Sequence, residues 1–283
     1  MHGFGRSASR VALPSLASDR LRTTSRCGAG WEERFDSEID DALLEHKAVC
    51  RESMRLLGAL PVAARRSGFD AYRQVFFYRT ATTARSVALV HLAAASRLDI
   101  RTMAGSAQNA FEESGCGDPA SSHIRLLEDS HNRLAADVYD LPALAVADSD
   151  SFPRLTEAVR EFRSTQFELY SSHDYCVVLG TSYAQEAAAV DMLQAILDYV
   201  FQPHVSHYSH STYAELTKYF TLHLGGVEQQ HAEFARQAIA ERYETNYGGW
   251  RLALGGAQTF LSAQTAVWSS LQALFRQHAQ NSV

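Results

Sequence analysis

The sequence predicts an all-α fold, and three observations carry the prediction. From Trp31 onward apolar residues recur at spacings of three and four, the period of a helix with one face turned to a core. Proline is scarce, six in 283 residues, and most prolines stand where an element would end. After residue 30 there is no linker-like stretch, internal repeat or low-complexity tract. The expected architecture is therefore a leader or disordered segment, residues 1–30, followed by one bundle of about seven to nine helices over residues 31–283.

Each element has its own justification. Ser37, three residues before Asp40, caps a helix over about 38–58, whose apolar positions are Leu43, Leu44, Val49, Met54 and Leu57. Residues 71–98 are apolar on most faces and contain no acid, which predicts one long, largely buried central helix. The next helix ends at Gly115. Asp118 then caps another, with Pro119 at its first position. Further helices are expected at about 152–170, 174–201, 211–223, 226–245 and 248–279.

The first 30 residues hold five arginines and a single acid, Asp19, a composition shared by organelle transit peptides and by disordered termini. They lack the apolar stretch of a secretion signal. The four cysteines, Cys27, Cys50, Cys116 and Cys176, form no CxxC and no disulfide framework, which fits a reducing cytoplasm. A net charge of −6 leaves no basic excess for phosphates, so nucleic acid is not an expected partner. No apolar run approaches the roughly 20 residues a membrane span needs. A small molecule is the expected partner, and a homodimer is compatible with the size.

Three groups of acids and imidazoles carry the chemistry: Glu113 with His123, Glu186 in an alanine-rich stretch, and His223, Glu228 and His231. Carboxylate oxygens bridge and neutralise hard cations while imidazoles complete their coordination, so such groups on several helices suit a metal centre inside a bundle. Glu228 and His231, three residues apart, lie about 60° apart on a helix and can serve one ion. Each residue also has an ordinary reading: Glu113, with its neighbour Glu112, as a solvated helix end, His123 as a surface side chain. Glu186 is harder to dismiss, because an acid on a buried alanine face needs a partner. His204, His207 and His210, near Pro203, read as loop residues, and the aromatic clusters as core packing.

The stretches "NAFEESGCGDPASSH", "GTSYAQE" and "YFTLHLGGVEQQHAEF" resemble, in order, three motifs of the haem-oxygenase-like diiron oxidases and oxygenases. The resemblance implies a haem-oxygenase-like helical bundle, two Fe(II) ions with O2 as co-substrate, and Glu113, His123, Glu186, His223, Glu228 and His231 as ligands. Two departures stand out. Glutamate at 228 replaces the family's usual aspartate. His223 precedes it by five residues instead of four, which on a regular helix turns His223 about 140° from Glu228. A π-bulge at Gly225 and Gly226 would restore the common face. With no acid on the 71–98 helix, Glu186 must supply the third carboxylate, and Asp191 is a weaker spare.

The family resemblance further implies oxidation of a small amine, amino acid or carboxylate by N-oxygenation or oxidative C–C cleavage, within specialised biosynthesis and with an external electron donor possible. Arg73, Arg79 and Arg85 are candidates to clamp a substrate carboxylate, against the commoner reading of ordinary ion pairs. Other readings stay open: a thiaminase-like hydrolase of the same fold with Cys176 or Cys116 as nucleophile, a cofactor-free oxidase, a haem binder with one axial histidine, or a non-catalytic helical binding protein.

Overall fold

The computed structural model describes residues 30–245 and 249–281; the proposed leader, but for its last residue, falls outside them. Among these residues the structure is helical with no strand. The elements are α1 (Trp31–Gly58), α2 (Val62–Thr80), α3 (Thr83–Ala95), α4 (Ile100–Glu113), α5 (His123–Tyr139), α6 (Glu157–Tyr170), α7 (Tyr175–Ile196), α8 (His210–Leu216), α9 (Lys218–Leu222), α10 (Glu228–Thr245) and α11 (Gly249–Gln280). No described helix is long and apolar enough to cross a membrane.

The central element is α7, not the 71–98 segment. It packs on α11, α10, α1, α6 and α3, and buries residues on every face, from Val178 and Leu179 through Ala184 and Ala188 to Met192. Small side chains bring it close to α11. A Cβ added at Gly180 would lie 1.8 Å from the Ala253 carbonyl oxygen, and one at Gly256 would lie 2.6 Å from that of Val177, so the two backbones touch.

The expected single helix over 71–98 is two helices, broken at Ala81 and Thr82. Threonines cause a local competition here: Thr80 Oγ1 donates to the Phe76 carbonyl at 2.9 Å, and Thr82 Oγ1 to that of Arg79 at 3.2 Å. Thr82 also bonds Gln166 on α6, which holds the bend in place. The second half of α2 is buried as expected, whereas α3 turns one face outward, with Leu92 exposed. Helix α5 also begins later than the Pro119 signal suggests. Asp118 caps only a short 3₁₀ turn, Pro119–Ser121, accepting from Ala120 N at 3.1 Å, and α5 starts anew at His123.

Where α5 meets α2 it carries a buried histidine. His131 Nδ1–H donates to the Leu127 carbonyl at 3.0 Å, leaving Nε2 to accept from the Tyr72 hydroxyl at 3.0 Å, among the rings of Phe76, Phe77, Phe201 and Phe220. Burial pushes its pKa down to about 3, and does the same to His46, which accepts from Trp268 Nε1–H at 3.1 Å. The unfolded chain therefore binds protons that the folded chain refuses. The stability contributed is complete above about pH 6.5 and is lost as pH falls toward 3, by at most about 1.4 kcal/mol per pH unit for each histidine. Urea unfolding of His131→Gln is expected to show a shallower pH slope between 6.5 and 4.5 than the wild type; equal slopes would place the proton uptake elsewhere.

Candidate metal centre

Acids and imidazoles from α4, α5, α7, a π turn and α10 come together at one place. The end of α4 carries Glu112 and Glu113, which leave the helix about 100° apart and so face different neighbours. A turn with Gly115, Cys116 and Gly117 all at positive φ reverses the chain and returns His123, the first residue of α5, to Glu113; Nδ1 and Oε1 stand 3.2 Å apart. Glu186 projects from the middle of α7. His223 opens the π turn, His223–Val227, between α9 and α10.

This π turn resolves the five-residue spacing. Gly226 adopts φ 102°, ψ −2°, a left-handed conformation that glycine reaches without strain, and one extra residue is absorbed there. His223 consequently faces the same side as Glu228, its Nδ1 in contact with Glu228 Oε1. One turn along α10, His231 Nδ1 lies 3.8 Å from Glu186 Oε2, and its Nε2 is 2.9 Å from Glu112 Oε2. Asn109 Nδ2 donates to Glu186 Oε1 at 3.3 Å.

The donor atoms surround two adjoining cavities that share Gln185 and Glu186 as a wall. The inner one, of about 40 Å³, is lined by Glu113, His123, Glu186, His223 and Glu228, together with Arg79 and Tyr219. The outer one, of about 180 Å³, is lined by Glu186, His231, Glu112, Asn109 and apolar side chains of α3, α7 and α10. The five inner donors come from α4, α5, α7, the π turn and α10, so only the packed bundle assembles them.

Electrostatics here are tense. Burial, then the neighbouring Glu186 and Glu113, push the Glu228 carboxyl far above the usual carboxylate range. Burial would raise Glu186 too, but hydrogen bonding with His231 and Glu228 brings it net below its ordinary value. His223 is pushed down to about 3 by burial and by His123. The His231 pair with Glu186 and Glu112 outweighs its burial and raises its pKa.

These residues fit a cation. Glu186, Glu228 and His231 each offer a ligand atom, all within 4.8 Å of one another. Nε2 of His223 and Nδ1 of His123 are buried with no hydrogen-bond partner. Buried acids beside unpartnered imidazole nitrogens are costly in a protein alone, and a cation satisfies both. Glu112, passed over in the sequence as a solvated helix end, meets His231 from behind; its signal was the adjacent pair Glu112–Glu113, which on a helix can serve two sites.

The other candidates fall elsewhere. Arg73 is buried, but its guanidinium binds Asp70 at 3.1 Å and Asn132 at 3.2 Å, away from both cavities. Arg85 lies over the Phe167 ring, 4.8 Å from its centroid, on another face. Neither is among the side chains that line the two cavities. Of the three, only Arg79 lines the inner cavity, and the Gln264 amide, when turned with its oxygen toward the guanidinium, accepts from Nη2 and Nε at 2.6 and 2.9 Å. Asp191 pairs with Lys47 at 2.7 Å outside the cavities. His204 and His207 sit in a 3₁₀ turn, Gln202–His207, with His204 accepting from or donating to the Tyr139 hydroxyl at 3.1 Å. Neither Cys116 nor Cys176 lines a cavity, and burial raises the Cys176 thiol, which disfavours the nucleophilic thiolate.

Two crystal structures of a CADD-like protein of unknown function from Nostoc punctiforme superpose on this chain with TM-scores of 0.67 and 0.66. Identity is 16% in both, over 86% and 87% of this chain and 97% and 96% of theirs, a likeness of fold. No curated protein sequence matches the chain. A family profile described as an iron-containing redox enzyme matches residues 74–265, a span that contains every donor described above. A haem-oxygenase-like bundle with acids and imidazoles gathered at its centre thus meets a sequence match over more than half its length, and the chain belongs to the family of iron-containing redox enzymes.

Proposed function

We propose that the protein is a non-haem diiron oxidase or oxygenase that uses O2 to oxidise a small amine or amino acid. The observation that supports this reading most is the convergence of three carboxylates and three imidazoles on adjoining cavities, with Glu228 touching His223 and lying within the same group as Glu186 and His231. Glu113, His123, Glu186, His223, Glu228 and His231 would hold the iron. Bound iron would supply the redox chemistry with dioxygen. The chain supplies the rest. Glu112 accepts the His231 Nε2 proton, which fixes the tautomer and leaves Nδ1 free to ligate. Arg79, held by Gln264, places a fixed positive charge by Glu228. Tyr219 and Met192, both buried, line the inner cavity.

The test is metal content and oxygen uptake after anaerobic loading with ferrous iron. About two irons per chain are expected, with both readouts reduced in Glu113→Ala. Equal iron in wild type and variant, or none in either, would reject the assignment. A milder change is expected for Glu112→Gln, which keeps the shape but weakens the hold on His231: a drop of roughly 10–100-fold in iron affinity. Unchanged affinity in competition with a chelator would remove Glu112 from the site.

A further inference from the structure

The outer cavity has a polar end and an apolar end, and the two differ in what they ask of a ligand. At the polar end Asn109 Nδ2 is committed to the Glu186 carboxylate, which fixes the amide orientation and leaves Oδ1 buried with no partner. Beside it stands the Glu112 carboxylate, and no lysine or arginine lines the cavity among the described residues. Gln108 Nε2 and His231 Nε2 already bond Glu112, and the donors of Ser182, Gln185 and Gln230 are uncharged, so the carboxylates of Glu112 and Glu186 outnumber the one imidazole and favour a ligand head that carries an ammonium over one that carries a carboxylate. The opposite end is formed by Val87, Val90, Leu179 and Phe234. Phe234 has little choice of position. A Cβ at Gly105 would lie 2.2 Å from its Cε1 and 2.3 Å from its Cζ, so the ring rests on the bare backbone of α4.

We infer that the outer cavity binds a small primary amine with a short apolar tail, and that Phe234, seated on Gly105, sets the length of tail admitted. This deepens the proposed function, which it needs only to say where the bound amine reacts; binding and length selection follow from the cavity walls alone. A methyl at position 105 drives the ring across the apolar end and shortens the cavity. Removing the ring lengthens it. Gly105 and Phe234 are thus specificity determinants acting as one unit.

The probes are straight-chain primary amines from ethyl to octyl and alkanoates of matching length, titrated by calorimetry into metal-free protein and into anaerobic iron(II)-loaded protein. In the wild type, amines are expected to bind at least about tenfold more tightly than the matching alkanoates. Affinity should rise by roughly fourfold per methylene until the tail meets Phe234, then fall. The optimum should move to longer tails in Phe234→Ala and to shorter ones in Gly105→Ala. In the double variant the Gly105→Ala effect should vanish, since the methyl acts only through the ring. The same optimum in wild type and Phe234→Ala would overturn the inference, as would alkanoates binding as tightly as amines in both forms of the protein. If Gly105→Ala does not fold, the Phe234→Ala profile still decides. Failure to load iron would count against the diiron reading and leave the length profile of the metal-free protein to be judged by itself.

Discussion

Metal-free Glu228→Gln is expected to be more stable than the metal-free wild type at pH 7, by about 1–3 kcal/mol, while losing iron affinity by about 100-fold or more. Glu228 is 4% exposed, next to Glu186 and Glu113, and these surroundings hold its proton on well above neutrality. In the unfolded chain the same carboxyl ionises near pH 4.5. A group whose folded pKa is raised contributes stability that is complete below its unfolded pKa and is lost as pH rises toward the folded one. Metal-free wild type should therefore weaken steadily as pH rises above about 4.5. Glutamine mimics the protonated acid, and its amide N–H can still donate to His223 Nδ1, so the variant escapes this loss. Its advantage should grow between pH 5 and 8. Ferrous iron reverses the order, because a cation that binds only the folded wild type adds its binding free energy to stability. Urea unfolding with and without iron measures both effects. A metal-free variant less stable than wild type, or one that keeps its iron, would mean that Glu228 is an ordinary buried acid.

Gly180→Ala should destabilise the fold by about 3 kcal/mol, the upper range for overpacking. The added methyl would meet the Ala253 carbonyl oxygen at 1.8 Å, and that atom belongs to the backbone of a 32-residue helix that cannot swing aside. Relief requires α7 and α11 to separate, which opens the packing around Glu186 two turns further along α7. A loss of thermal stability together with weakened iron binding is the expected result, read by calorimetry and metal titration. Gly255→Ala, on α11 with nothing within 4 Å of an added Cβ, is the control and should have little effect. Equal stability of Gly180→Ala and wild type would show that the crossing has slack.

Much of the fold is legible in the chain because helical period and scarce proline act locally. The boundaries that fail in the sequence are those set by tertiary partners. Residues 71–98 show no breaker, and the bend at Ala81 and Thr82 is held by Gln166, 84 residues away. Asp118 and Pro119 announce a helix start correctly in kind, yet they cap a 3₁₀ turn. At the site, residue types and spacings pointed to Glu113, His123, Glu186, His223, Glu228 and His231, and the paired glycines marked the place where a π turn could correct the register of His223. Glu112 stayed hidden because a glutamate at a helix end is ordinary until its neighbour is known. Arg73, Arg79 and Arg85 share one acid-free stretch and nothing in it ranks them; only the folded chain, which splits the stretch into two helices and puts Arg79 in the lining of the inner cavity, separates them.

By itself, then, the sequence determined the helices and the kinds of ligand atom they carry, since period, composition and spacing are properties of neighbouring residues. Only the tertiary structure decided which side chains meet: that His223 reaches Glu228, that Glu112 backs His231, and that Phe234 lies on Gly105. Such encounters join residues up to 129 positions apart, because distance in space is set by how α4, α7 and α10 pack, a sum over the whole core to which no local stretch holds the key.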